Sequence, residues 1–186
     1  MRNIILALND GDERTTQTFP LPVLIDILIQ VCQTVAHAHQ RGVIHRDLKP
    51  ANILTGEFGE TYVIDWGLAK VWGEPELATF PAFDYQEDYS LTPVGRRYGT
   101  PLYTAPEMMR GDSFVDGRVD VFCLGNVLFE ILTYQQLLRS ETVSQIREAL
   151  LNQQLPTPCQ VAPERDIPTQ LEDICCQAGG CVDFPE

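Results

Sequence analysis

Two apolar stripes of helical period constrain the fold most, because each must be buried against another part of the chain. In the first, apolar side chains recur at three- and four-residue intervals over residues 24–38, and Gly42 then ends the pattern. In the second, which follows Asp120, apolar residues surround most of the helix and predict a central position. Gly125 inside it indicates a close backbone contact. The stripes predict a mainly α fold.

A small β-hairpin is predicted between the two stripes. Residues 53–54 and 62–64 are β-like, and the connecting TGEFGE contains two glycines. Residues 72–99 read as a long loop, and shorter helices are predicted over 141–153 and 169–177. The expected class is therefore mainly α with one small β-hairpin.

Composition excludes some classes of function. The 186 residues are 44% apolar, which suffices for a packed core in one domain. Lys and Arg number 13 against 26 Asp and Glu, so the net charge is 13 − 26 = −13. An acidic chain repels a phosphate backbone, and nucleic acid is not expected as a partner.

The sequence carries expectations about compartment. The apolar stretch at residues 4–8 is too short for the core of a signal peptide. The longer one at 21–38 is interrupted by Asp26, Gln30, Gln33 and His37, so no membrane span is expected in this chain. Six cysteines without an export signal favour a reducing compartment, and the expected location is cytoplasmic. Cys32 and Cys123 are predicted to be buried in helices.

The residues best suited to chemistry cluster around the hairpin. The string HRDLKPAN places Asp47, Lys49 and Asn52 on one short loop, and IDWG places Asp65 after the second strand. Phosphoryl transfer needs aligned partners and neutralised charge more than covalent help. A carboxylate can accept a proton from a hydroxyl, a lysine can contact a phosphate, and hard oxygen ligands can hold Mg²⁺.

Three motifs in order carry a resemblance to a known family. They are HRDLKPAN, then DWG where the family usually has DFG, then GTPLYTAPE. Over about residues 4–178 the chain resembles the eukaryotic-like (Hanks-type) Ser/Thr protein kinases, most closely their bacterial members. The resemblance implies a protein-kinase-like fold, use of ATP and Mg²⁺, and transfer of the γ-phosphate to a Ser/Thr hydroxyl of a protein substrate.

The resemblance assigns roles residue by residue. It implies that Asp47 is the catalytic base, that Lys49 contacts the phosphate, and that Asn52 and Asp65 hold the metal. Thr100 resembles the threonine that bonds back to the base and to Lys49.

Other matched positions are structural or regulatory by the same resemblance. His45 is expected to lie beneath the loop, and Arg46 to receive a phosphate from the activation loop. Gly67 ends the DWG motif and Glu107 ends APE. Asp120 matches the acid that ties down the backbone of the catalytic loop.

The chain also departs from the family pattern. It has no lysine before Lys49 and only Gly11 and Gly42 before Gly56, so the glycine-rich loop and the strand lysine of the small (amino-terminal) lobe are absent from these residues. We therefore expect a large-lobe fragment over residues 1–178 with a divergent tail at 179–186. It should be weakly active or inactive alone, and a missing small-lobe polypeptide is one candidate partner.

Two further departures from the family pattern support this expectation. Trp66 replaces the DFG phenylalanine and should be partly exposed. Glu107 lacks the usual arginine after the last helix, since Arg165 comes before it. His37 and His39 are expected to be core or surface residues, not ligands.

Two other functions remain open. One is a non-catalytic, pseudokinase-like interaction module. The other is a small-molecule phosphotransferase of kinase-like fold, against which Lys49 and the APE motif argue.

Overall fold

The computed structural model describes residues 1–71, 101–112, 114–138, 142–152 and 155–180, which are mainly helical. This confirms the predicted class. The helices of the described part are α1 (Arg2–Asn9), α2 (Glu13–Thr18), α3 (Leu21–Gln40), α4 (Pro106–Arg110), α5 (Arg118–Thr133), α6 (Val143–Leu151), α7 (Pro158–Val161) and α8 (Thr169–Gly179).

Helix α3 is the first predicted stripe. It begins after Pro20, with a second proline in its first turn, and it ends before Gly42, whose φ of 73° is readily adopted by glycine. Its apolar stripe is buried. The helix contacts α5 and two short strands, β1 (Val43–Ile44) and β3 (Thr61–Val63). The buried residues are Leu24, Ile27, Leu28, Val31 and Val35.

By length and composition alone, α3 could cross a membrane. The expectation that its polar residues exclude a span was therefore too strict. Core helices of soluble proteins pass the same test, and one face of α3 is buried against the rest of the domain.

Helix α5 occupies the centre, as predicted. Thirteen of its 16 residues are buried, and it contacts α3, α7 and α8. The close contact predicted at Gly125 is present, because a Cβ atom there would lie 2.6 Å from the backbone nitrogen of Gly179 and 2.9 Å from the carbonyl carbon of Ala178. Glycine thus permits α5 and α8 to approach at backbone distance.

Two small antiparallel pairs frame the polar loop. Strands β2 (Ile53–Thr55) and β3 (Thr61–Val63) form the predicted hairpin. Strands β1 (Val43–Ile44) and β4 (Lys70–Val71), which were not predicted, pair with each other. Because β1 and β4 flank residues 45–69, this segment begins and ends at the same pair of strands. That brings HRDLKPAN and DWG together.

The two helical cysteines differ. Cys123 is buried on α5, as predicted, and its thiol donates to the carbonyl of Tyr103 at 3.0 Å. Cys32 is exposed, so its predicted burial was wrong. It follows Val31, which points into the core, and the helix turns its side chain outward.

Candidate active site

The carboxylate of Asp120 determines the position of the HRD loop. It is fully buried in the first turn of α5 and accepts hydrogen bonds from the backbone N–H groups of His45 and Arg46, both at 2.8 Å. A third bond, of 2.7 Å, joins it to Nε2 of His39 on α3. Two helices thus meet at the base of the loop, where the resemblance placed Asp120.

The ring of His45 connects the two motifs. Its Nδ1 accepts from the backbone N–H of Asp47 at 3.2 Å, and its Nε2 lies 3.1 Å from the carbonyl oxygen of Ile64. These partners require a neutral ring with the proton on Nε2. The ring also lies 4.5 Å, centroid to centroid, from that of Trp66, tilted by 58°. The histidine is buried beneath the loop, as expected.

Asp47, Lys49 and Asn52 meet in one cluster. The Lys49 ammonium donates to Asp47 Oδ2 at 2.7 Å. Asn52 Nδ2 donates to the same oxygen at 3.1 Å and to the Asp47 carbonyl at 2.8 Å. Both hydrogens of the amide are used, which leaves Asn52 Oδ1 as an acceptor. Asp47 Oδ1 makes no hydrogen bond within the described residues.

Asp65 follows the hairpin in a left-handed conformation, with φ 65° and ψ 58°. It precedes the 3₁₀ turn Trp66–Leu68, and its side chain is exposed to solvent. Such a conformation is strained for a residue with a side chain, and aspartate tolerates it better than most. A Cβ atom at Gly67 would lie 3.4 Å from Asp65 Oδ1, so glycine leaves space beside that oxygen.

The residues on either side of Asp65 contact the catalytic loop. Ile64, just before Asp65, donates its backbone N–H to the Asn52 carbonyl at 3.0 Å and accepts from the His45 ring. Both neighbours of Asp65 therefore contact residues of the catalytic loop, since Trp66 stands against His45.

Trp66 and Arg46 complete the loop's support. Trp66 is half-buried, as expected, and its Nε1 donates to the Val63 carbonyl at 3.0 Å. Arg46, itself left-handed with φ 68°, is buried and donates through Nε to the carbonyl of Leu68 at 2.8 Å. The activation loop that it was expected to meet lies outside the described residues.

Asn52 and Asp65 are described residues whose oxygen atoms suit a metal ion. Among the described residues, no group of three or more His, Cys, Asp or Glu is placed to hold one. The free oxygens of Asn52 and Asp65 fit Mg²⁺, which prefers few protein ligands and takes the rest from water and phosphate. Lys49 contacts Asp47, to which Asn52 is also hydrogen-bonded.

The GTPLYTAPE segment is only partly described. Thr100 lies outside the described residues, and so does the tail from 181 onward. Glu107 is half-buried in α4, and no hydrogen bond or ion pair joins its carboxylate to the described part of the chain. Arg165 instead places its guanidinium 3.6 Å from the centroid of the Tyr134 ring.

Sequence reasoning missed His39. It was treated as a core or surface residue, yet it donates to the buried Asp120, 81 positions away. A Cβ atom at Gly117 would lie 2.8 Å from its ring, so glycine there makes room for it. No local signal distinguished it from the exposed His37.

A lysine-paired aspartate, an asparagine hydrogen-bonded to it and a second aspartate on a left-handed turn thus lie on neighbouring segments of a mainly helical chain. The chain belongs to the protein kinase family, because residues 7–178 match the protein kinase domain. Members of this family generally use ATP and Mg²⁺ and act on proteins.

The most informative relatives are bacterial. The chain is 38% identical over 153 residues to the serine/threonine-protein kinase PknD of Protochlamydia amoebophila, covering 80% of this chain and 15% of that protein. It is 38% identical over 152 residues to PknD of Chlamydia pneumoniae, with coverage of 81% and 16%. For PknD of Chlamydia trachomatis serovar D the values are 35% over 179 residues, 90% and 18%. The chain thus spans less than a fifth of the length of these relatives.

Proposed function

We propose that these residues form the catalytic-loop lobe of a protein Ser/Thr kinase that transfers the γ-phosphate of ATP to a hydroxyl of a protein substrate. One observation carries the proposal. Asp47 is oriented by Lys49 and Asn52, at 2.7 and 3.1 Å, on a loop whose backbone Asp120 fixes. Such pre-alignment is what phosphoryl transfer requires from a protein.

The proposed reaction uses each group once. Asp47 Oδ1 accepts the proton of the substrate hydroxyl, whose oxygen forms a bond to the γ-phosphorus. The bond between the γ-phosphorus and the β–γ bridging oxygen breaks, and ADP leaves. The Lys49 ammonium lies 2.7 Å from Asp47 Oδ2. It can stabilise the negative charge of the phosphoryl group during its transfer.

Asn52 and Asp65 are the proposed metal-holding residues. The amide of Asn52 is held by its two bonds to Asp47, so Oδ1 has a defined direction. Asp65 is exposed and adjacent through Ile64. A bound Mg²⁺ would neutralise the charge of the phosphates.

The hairpin offers a surface for a small lobe. Leu54, Tyr62 and Ile64 are exposed by 47%, 54% and 38%, and they lie next to the proposed metal residues. The glycine-rich loop and strand lysine that grip ATP are not among residues 1–186. We propose that these residues are weakly active or inactive alone and become active when a small lobe covers this face.

Transfer assays test the proposal. The purified chain is incubated with Mg·ATP carrying labelled γ-phosphate and a basic acceptor protein, with and without the separately purified small lobe of the Protochlamydia amoebophila relative. We expect transfer to rise on addition of the lobe and to fall by about 100-fold or more in Asp47→Asn. The matched control is Asp26→Asn on the exposed face of α3. Equal transfer by Asp47→Asn and the control would refute the proposal.

A non-catalytic interaction module is the second candidate, favoured by the same exposed hairpin face. It predicts stable association with the small lobe without phosphate transfer. A pull-down with the same lobe, followed by the transfer assay on the recovered complex, separates the two functions.

We also propose a cytoplasmic location, where ATP is available.

A further inference from the structure

A second buried carboxylate of α5 contacts the GTPLYTAPE segment. The hydroxyl of Tyr103, in the 3₁₀ turn Pro101–Tyr103, donates a short hydrogen bond to Oε1 of Glu130. Nε2 of Gln136 donates to the same hydroxyl at 3.3 Å, and the thiol of Cys123 donates to the Tyr103 carbonyl at 3.0 Å. Tyr103 is 5% exposed and Glu130 is 6% exposed. We call these four residues the Tyr103 latch.

The charges around the latch are few. Burial raises the pKa of Glu130 to about 7, while the Tyr103 hydrogen bond and the charge of Arg2 on α1 act in the opposite direction. Burial, followed by the charge of Glu130, raises the pKa of Tyr103, so the phenol keeps its proton and remains the donor. Tyr103 and Arg2 are the titratable groups that face Glu130 in the described part of the chain.

We infer that closure of the segment around Tyr103 onto α5 takes up a proton at Glu130, so that the latch is proton-linked. Opening would return the carboxylate to water, where it ionises at its ordinary value of 4.5. The closed form therefore holds more protons than the open form between about pH 4.5 and 7. Rising pH across this interval favours opening, and falling pH favours closure.

The latch lies next to the proposed active site. Cys123 lies one turn of α5 after Asp120, whose carboxylate holds the catalytic loop, and its thiol donates to the Tyr103 carbonyl. Opening of the turn would thus change the surroundings of the turn of α5 that holds the catalytic loop. Only this regulatory consequence rests on the proposed function; the proton linkage itself does not.

Hydrogen exchange tests the linkage without any transfer assay. Exchange of the backbone amides of residues 102–105 and 107–109 is measured in wild type and in Glu130→Gln at a series of pH values. The ratio of the two rates at each pH cancels the intrinsic pH dependence of exchange. We expect this ratio to rise at least about tenfold between about pH 5.5 and pH 8. In Glu148→Gln, on the exposed face of α6, exchange should match wild type at every pH.

A carboxyl-carbon NMR titration supplies the second measurement. The Glu130 signal should titrate near 7, and in Tyr103→Phe it should move higher, because that hydrogen bond lowers the pKa. A Glu130 signal that titrates near 4.5, or an exchange ratio that does not change with pH, would overturn the inference. Neither readout depends on phosphate transfer, so failure of the proposed function and failure of the latch are distinguishable.

Discussion

Helix α5 carries a buried carboxylate at each end, and the two are satisfied differently. Asp120, in the first turn, receives three N–H donors from His39, His45 and Arg46. Glu130, in the last turn, receives the single hydroxyl of Tyr103. Both side chains are almost completely buried.

The difference shows what a buried acid can do. Desolvation of a carboxylate is costly, and hydrogen bonds offset that cost in proportion to their number and polarity. At Asp120 two of the three donors are backbone groups of the catalytic loop, so the same bonds that satisfy the acid hold the loop. At Glu130 one donor leaves much of the cost in place, and the pKa is raised to about 7.

Removing the acid at the first end should have the largest effect. Asp120→Ala leaves two buried backbone N–H groups and the His39 ring without their acceptor, and we expect a loss of about 3 to 5 kcal/mol in the free energy of unfolding. Denaturant titration measures it. Asp112→Asn, which breaks the exposed pair with Arg110, should cost less than about 1 kcal/mol. Similar losses in the two variants would contradict the role given to Asp120.

Glu130, at the second end of α5, should make the free energy of unfolding depend on pH. Because the folded pKa of Glu130 is raised, its contribution to stability is fully present below about pH 4.5 and is lost as the pH rises to about 7. That interval corresponds to about 3 kcal/mol. The difference in unfolding free energy between wild type and Glu130→Gln, followed over this range, isolates the term from all other carboxylates. A difference that stays constant with pH would show that Glu130 does not make the free energy of unfolding depend on pH.

The two histidines of α3 test how much a single hydrogen bond to Asp120 contributes to stability. His39→Ala removes one of three donors to Asp120 and should lower the unfolding free energy by about 1.5 kcal/mol. His37→Ala, two positions away on the exposed surface, should change it by less than about 0.5 kcal/mol. Equal thermal midpoints for the two variants would show that the His39 bond contributes nothing.

Asn126 extends the comparison to a buried amide whose donor and acceptor atoms find no partner among the described residues. It lies between the two acids on α5, and neither its Oδ1 nor its Nδ2 has a hydrogen-bond partner in the described residues. Asn126→Leu, with the same number of heavy atoms, should raise the unfolding free energy by about 1 kcal/mol. Denaturant titration measures this gain, and a loss instead would indicate a bound water at the amide.

The long elements of the fold were predictable from the sequence. Helices α3, α5 and α8, the hairpin and the approach at Gly125 follow from apolar period and glycine placement. Helices α1 and α2 were not predicted, because short segments of six to eight residues carry little period. The pairing of β1 with β4 joins two-residue strands 26 positions apart, and only tertiary contacts can reveal it.

The site also contains features that the sequence predicts and features that only the structure shows. Motif spacing predicted Asp47, Lys49, Asn52 and Asp65, whose side chains or neighbours the structure brings together. The contact between His39 and Asp120 and the burial of Glu130 depend on how helices pack, which no local pattern contains. Thr100 remains a prediction, since it lies outside the described residues.

The dependence of the loop on Asp120 also bears on how such a chain can change in evolution. The groups that align the proton acceptor come from residues 45–52 and from one acid more than seventy positions later. Insertions and deletions between β4 and the Pro101–Tyr103 turn leave this geometry intact as long as α5 keeps its place. New specificities can therefore arise in that connection without any redesign of the chemical centre.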